Sequence, residues 1–150
     1  MFIGINISLT LALACVVSLG CQRQNLERDF FDRPAVDRVE RLRSYSLEDQ
    51  YKIFRYGNDR IEPPAIGLAF PIAERGASAV PFIMDQLKVS SDDIAVRDNL
   101  LIFEMMQASG SFNVNSDDRL MQMLSAKILG MKDKEWRTIC SKKLQRIKEQ

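Results

Sequence analysis

The chain has 150 residues, 46% hydrophobic and 27% charged, with a formal net charge of +1. That is enough for one domain with a real core, it lacks the composition of a disordered chain, and it carries no global field to steer nucleic acid. Histidine is absent, which removes the commonest general base and zinc ligand, and Cys15, Cys21 and Cys140 lack metal-ligand spacing, so neither metal nor cofactor is expected.

Met1–Gly20 contains no charged side chain. Asn6, Ser8, Thr10 and Ser18 interrupt an otherwise apolar run, and Cys21 leads directly into Gln22-Arg23-Gln24-Asn25. The layout resembles a bacterial lipoprotein signal, carried by the lipobox-like residues Ser18-Leu19-Gly20-Cys21. The resemblance implies cleavage before Cys21 and a lipid on that cysteine, and Gln22 is compatible with onward transport to an outer membrane. Three other readings stay open: a signal cut without lipidation, a cut before Cys15 after Ala12-Leu13-Ala14, and an uncleaved anchor, because about 20 apolar residues span a bilayer. Each places the folded domain outside the cytoplasmic membrane, whereas a further reading, a cytosolic protein with a buried apolar N-terminal helix, does not. The expected organisation is a signal over 1–20, a lipidated cysteine and polar tether over 21–33, and a single α-helical domain over 34–150.

Pro34 opens a short helix with Val36, Val39 and Leu42 on one side and Arg38, Arg41 and Arg43 on the other. The arginines alternate with Asp37 and Glu40, which reads as a solvated face. Ser46 is the N-cap of the next helix, with Glu48 and Asp49 in its first turn. Leu47, Tyr51 and Phe54 face inward, and Gly57 and Asn58 are its stop signals. Aromatic and basic residues mix along this helix, as in strand-stacking proteins, but a helix with aromatic core contacts and outer arginines explains them as well, and no nucleic-acid partner is expected. Pro64 starts another helix, and Pro71 within it predicts a kink near Gly67–Phe70.

The centre of the chain is Ile72–Met106. Gly76 follows a periodic run and suits the left-handed conformation that closes a helix. The next helix begins near Ser78, with Pro81 in its first turn and with Val80, Ile83, Met84 and Leu87 on one face. Ser90, Ser91, Asp92 and Asp93 form a polar loop of ready caps. Ile94, Val96, Leu100–Phe103, Met105 and Met106 then make a helix that is apolar most of the way round, and the most buried one. On Gly76, Ala79-Val80-Pro81, Leu87, Asp92/Asp93 and Val96-Arg97, this stretch resembles a HEAT-like helical repeat. The resemblance implies a structural ion pair of Asp92 or Asp93 with Arg97.

After a turn-rich loop over Ser109–Asn115, Ser116 caps a helix burying Leu120, Met121, Leu124 and Ile128 and ending at Gly130. The last helix starts at Lys132 or Asp133. Trp136, Ile139, Cys140, Leu144 and Ile147 share its apolar face, with Trp136 as the anchor. Residues 132–150 hold seven Lys/Arg and three Asp/Glu, whereas 46–131 hold eight and twelve. A basic amphipathic helix of this kind either docks into its own domain or lies on an anionic membrane. Cys140, the one cysteine left if Cys21 is acylated, reads as core packing.

The fold class is therefore all-α, with six or seven helices in stacked antiparallel hairpins, as in a HEAT-like right-handed solenoid fragment. No phosphate loop, nucleophile elbow or zinc motif is present. Glu104 is the candidate buried acid, because it interrupts the apolar run Leu100–Met106 and a carboxylate there needs a partner or a raised pKa. Asp92, Asp93, Asp117 and Asp118 read as caps. The functional expectation is a membrane-tethered, non-catalytic binding module of the bacterial envelope, an adaptor, assembly factor or immunity-type inhibitor whose partner is another protein. The alternative is a small-ligand-binding protein or accessory enzyme with an acidic site around Glu104.

Overall fold

The structure is a computed structural model that describes residues 26–150. The expectations for the signal segment, for cleavage and for lipidation of Cys21 lie outside the described residues. The chain divides into two compact units, 1–35 and 36–150. In the first, Leu26–Asp32 forms helix α1 inside the stretch expected as a tether. Its Phe30 and Phe31 rings meet edge to face with centroids 5.3 Å apart.

Among the described residues every regular element is helical. In the second unit these are α2 (Arg38–Arg43), α3 (Leu47–Arg60), α4 (Ala69–Ala73), α5 (Val80–Val89), α6 (Asp93–Ser109), α7 (Asp118–Leu129) and α8 (Lys134–Glu149). The described α-helices thus number eight, against the six or seven expected. Short 3-10 turns at Ile66–Leu68, Gly76–Ser78 and Val114–Ser116 join them. None of the described helices is long and apolar enough to cross a membrane.

The caps follow the local chemistry. The Ser46 hydroxyl accepts from Asp49 N at 3.2 Å and starts α3. The Asp92 carboxylate accepts from Ala95 N at 2.7 Å and starts α6. Asp117, rather than the expected Ser116, caps α7 by accepting from Leu120 N at 2.9 Å. Ser116 instead completes the preceding 3-10 turn, its hydroxyl donating to Asn113 O. Asp133 caps α8 through two backbone amides.

Gly76 takes φ +55°, as its place after a helix suggested. A Cβ there would lie 2.3 Å from the Ser111 carbonyl oxygen. The Ser111 hydroxyl donates to Ala73 O at 2.7 Å, so the α6–α7 loop is latched against the end of α4. Pro71 produces no bend inside a long helix. The chain runs as a 3-10 turn over Ile66–Leu68 and becomes α-helical only at Ala69, which puts Pro71 in the first turn, where a missing N–H is tolerated. Gly57 and Asn58 do not stop α3; both lie in its buried face. Val36 does not join the apolar side of α2 and is 72% exposed, because Asp37, in a left-handed conformation, turns the chain before the helix starts.

The core is centred on α6, which packs against α3, α4, α5, α7 and α8. Its Leu100, Ile102, Phe103 and Met106 are fully buried, and each such side chain contributes about 1.5–3 kcal/mol of hydrophobic stabilisation. α5 presents Val80, Ile83, Met84 and Leu87, the face its spacing predicted. α8 contributes Cys140, Leu144 and Ile147. Its apolar face is therefore committed to the domain's own core. Polar ties close the first helices: Arg75 Nε donates to Gln50 Oε1 at 2.9 Å, and Gln50 Nε2 donates to Leu42 O at 2.9 Å.

Candidate functional site

Two carboxylates inside the helical unit are the places where chemistry could sit. The first, Asp98, follows Arg97 directly in the sequence and belongs to no motif. It is 0% exposed. α6 carries it three residues after buried Ala95 and four before buried Ile102, inside the apolar stripe. That register was the available signal.

Both Asp98 oxygens are engaged. Oδ2 accepts from Arg55 Nη1 of α3 at 2.7 Å. Oδ1 accepts from Arg97 Nη2 at 2.7 Å and Nε at 2.9 Å. The Arg97 guanidinium lies over the Trp136 ring at 4.9 Å, tying α8 into the same cluster. Beside it, the Tyr51 hydroxyl donates to Asn99 Oδ1 at 3.1 Å, and Asn99 Nδ2 donates to Ala95 O at 2.8 Å. Burial raises the Asp98 carboxyl above its ordinary range, and Arg97 and Arg55 recover only part of that shift. Burial also raises the Tyr51 hydroxyl.

The second carboxylate is Glu104, the candidate acid of the sequence. It is part-buried, its side chain 19% exposed. Oε2 pairs with Lys143 Nζ and Oε1 accepts from Arg146 Nη2 at 2.7 Å, both from α8. Burial pushes this carboxyl up, but the hydrogen bonds and charges of Lys143 and Arg146 outweigh it and hold Glu104 below its ordinary range. A proton donor for catalysis needs the opposite shift and access to a substrate. Glu104 is an interhelical ion pair between α6 and α8.

The expected pairing of Asp92 or Asp93 with Arg97 does not form. Asp92 caps α6 and stands 3.7 Å from Arg55. Asp93 turns to the start of α8, accepting from Asp133 N at 2.7 Å and Lys132 N at 3.2 Å. Arg97 points inward to Asp98 because it lies a full helical turn into α6, on the side that faces α8. The neighbouring helices are bridged, but by Arg55–Asp98 and by Asp93, not by the expected pair.

Two open depressions border α7. One, of about 250 Å³, runs between α7 and α8 with Ile128, Leu129, Leu144 and Lys148 in its lining. The other, of about 220 Å³, is lined by the polar loop Ser90–Asp93 and by Lys127. Lys127 Nζ donates to Lys88 O at 2.7 Å and Ser90 O at 2.8 Å, covering the end of α5. Among the described residues no three Cys, Asp or Glu side chains are gathered as metal ligands. Cys140 is 0% exposed, and burial raises its thiol, which disfavours the reactive thiolate. The chain matches no protein-family model, no curated protein and no solved structure.

Proposed function

We propose that this chain is a non-catalytic helical binding module, tethered by a lipid on Cys21 to the periplasmic side of a bacterial envelope, with the outer membrane as its place. It works by holding another protein, as an adaptor, an assembly factor or an immunity-type inhibitor. The observation that carries the non-catalytic part is that both interior carboxylates, Asp98 and Glu104, are each held by two cations, and neither lines the two depressions beside α7. The tether is supported by the uncharged Met1–Gly20 run ending in Gly20-Cys21. The HEAT-like reading is supported by amphipathic α5 and largely buried α6, joined by a short polar loop with Gly76 before them and packed against each other.

Partner capture tests the binding role. A Glu104→Gln variant that stays folded and keeps its partner agrees with a structural Glu104. A folded variant that loses an activity of the wild-type chain would overturn the non-catalytic reading. Fatty-acid labelling of the wild type and of Cys21→Ser tests the tether.

A further inference from the structure

The basic character of the last helix divides into two sets. Arg137, Lys143 and Arg146 have partners within the domain: Arg137 donates to Met131 O, and the other two hold Glu104. Lys132, Lys134, Lys142 and Lys148 are exposed, and none has an acid within 4.0 Å among the described residues. Helical spacing at about 100° per residue places Lys142 opposite buried Cys140, with Lys134 on the same exposed side and Lys148 at its edge, one turn beyond Leu144. The acids on that side are Glu135 and Glu149, and the latter accepts from Gln145 Nε2 at 2.9 Å. Lys148 also lines the α7–α8 groove, together with Leu129, a leucine 73% exposed. An outward leucine and Lys148 therefore share one surface, with Lys134 and Lys142 further along the exposed side of α8. Residues 46–131 carry eight Lys/Arg against twelve Asp/Glu, so the stretch before α8 is mildly acidic and 132–150 is basic.

We infer that this face, the end of α7 with the outer side of α8, docks on an anionic bilayer surface, Leu129 entering the headgroup layer and the lysines lying over acidic lipid headgroups. Charge complementarity selects an anionic occupant, and the spread of the charge selects a surface. From Lys134 to Lys148 the row extends about 20 Å along the helix at 1.5 Å per residue. The cations in it are all lysines, flexible point charges, whereas the two arginines of α8, whose forks suit recognition of single carboxylates, are already engaged, Arg137 by Met131 O and Arg146 by Glu104. An exposed apolar side chain beside several lysines is the combination that holds a domain at an interface. The inference rests on the tethered reading and deepens it: the domain lies on the membrane that anchors it.

The test uses the purified full chain in vesicle flotation, with vesicles of phosphatidylcholine alone and of equal parts phosphatidylcholine and phosphatidylglycerol. The variants are Lys134→Gln/Lys142→Gln/Lys148→Gln and, separately, Leu129→Ser, each checked for wild-type helicity. The wild type is expected to partition more strongly onto the anionic vesicles. Each lysine near an anionic surface contributes about 1 kcal/mol, so the triple variant loses about 100-fold of that preference. Leu129→Ser weakens binding to anionic vesicles while keeping the salt dependence. Equal partition of the wild type onto both vesicles would overturn the inference, as would a triple variant that keeps the full preference. A folded triple variant that keeps its vesicle binding but loses binding to polyglutamate would make this a protein-docking face and equally sink the membrane assignment. The lipid on Cys21 is read separately, as retention on neutral vesicles. Loss of that retention with the anionic preference intact strikes the tether and leaves the face standing.

Discussion

Removing the Asp98 carboxylate should be among the most damaging single changes in α6. Asp98→Ala deletes an acid that is 0% exposed and accepts three hydrogen bonds from two guanidinium groups. Breaking a buried ion pair from one side costs about 3–5 kcal/mol, because the remaining charge stays uncompensated. The side chains of Arg55 and Arg97 are 23% and 18% exposed, so water can reach part of each. That places the loss near the lower end, about 3 kcal/mol, or a fall in Tm of about 10 °C for a domain of this size. Urea unfolding followed by circular dichroism reads it directly. Replacing the three charges together, Arg55→Met/Arg97→Met/Asp98→Leu, should restore most of the loss, since well-packed apolar groups can substitute for a buried triad. It forfeits the Arg97–Trp136 contact, about 1 kcal/mol. The sign of the pH effect follows from the raised carboxyl. Its contribution to stability is full below the ordinary carboxylate range and is lost as pH rises through the shifted range, so the wild type should lose ground to Asp98→Asn across that interval. An Asp98→Ala protein within about 1 kcal/mol of wild type would refute the reasoning, since no buried pair of this kind is lost so cheaply.

Other expected outcomes follow from single contacts. Gly76→Ala places a Cβ against the Ser111 carbonyl in a left-handed backbone, and more than about 2 kcal/mol should be lost, with faster proteolysis of the Ser109–Asn115 loop as a second readout. Glu104→Gln removes the ion pairs to Lys143 and Arg146 and should cost about 1–3 kcal/mol. Because Glu104 is held below its ordinary range, its contribution is present above that range and disappears as pH falls through the lowered one, so the difference between wild type and Glu104→Gln should narrow on acidification. Asp92→Ala should lower stability by about 1 kcal/mol through loss of the α6 cap, measured by denaturant midpoint. Cys140 should resist a thiol reagent in the native state and react at once in denaturant, the contrast that complete burial predicts.

The faces of α5 and α6 could be read from the sequence because apolar spacing and caps act locally. Val80, Ile83, Met84 and Leu87 point inward, Asp92 caps, and Gly76 takes the positive φ. What could not be read depends on tertiary neighbours. Gly57 and Asn58 look like terminators in isolation, but burial in the α3 face outweighs the roughly 1 kcal/mol per residue that glycine costs a helix. Arg97 stands near Asp92 and Asp93 in the chain, yet the approach of α8 gives it Trp136, and its own neighbour Asp98 completes the pair. Trp136 accordingly is half-buried under Arg97, and Cys140, Leu144 and Ile147 fix the helix. At Glu104 the sequence shows a carboxylate inside an apolar run. It could not supply the partner, because Lys143 and Arg146 come from 39 and 42 residues away.

The central claim is that a folded helical domain hangs from the envelope membrane by Cys21. It is tested most directly by expressing the full chain and Cys21→Ser in a two-membrane bacterium with a labelled fatty-acid precursor and fractionating the membranes. Label is expected on the wild type and none on the variant, with the labelled protein in the outer-membrane fraction. Two unlabelled proteins, both retained in the cytoplasmic membrane, would contradict the claim and make Met1–Gly20 an anchor.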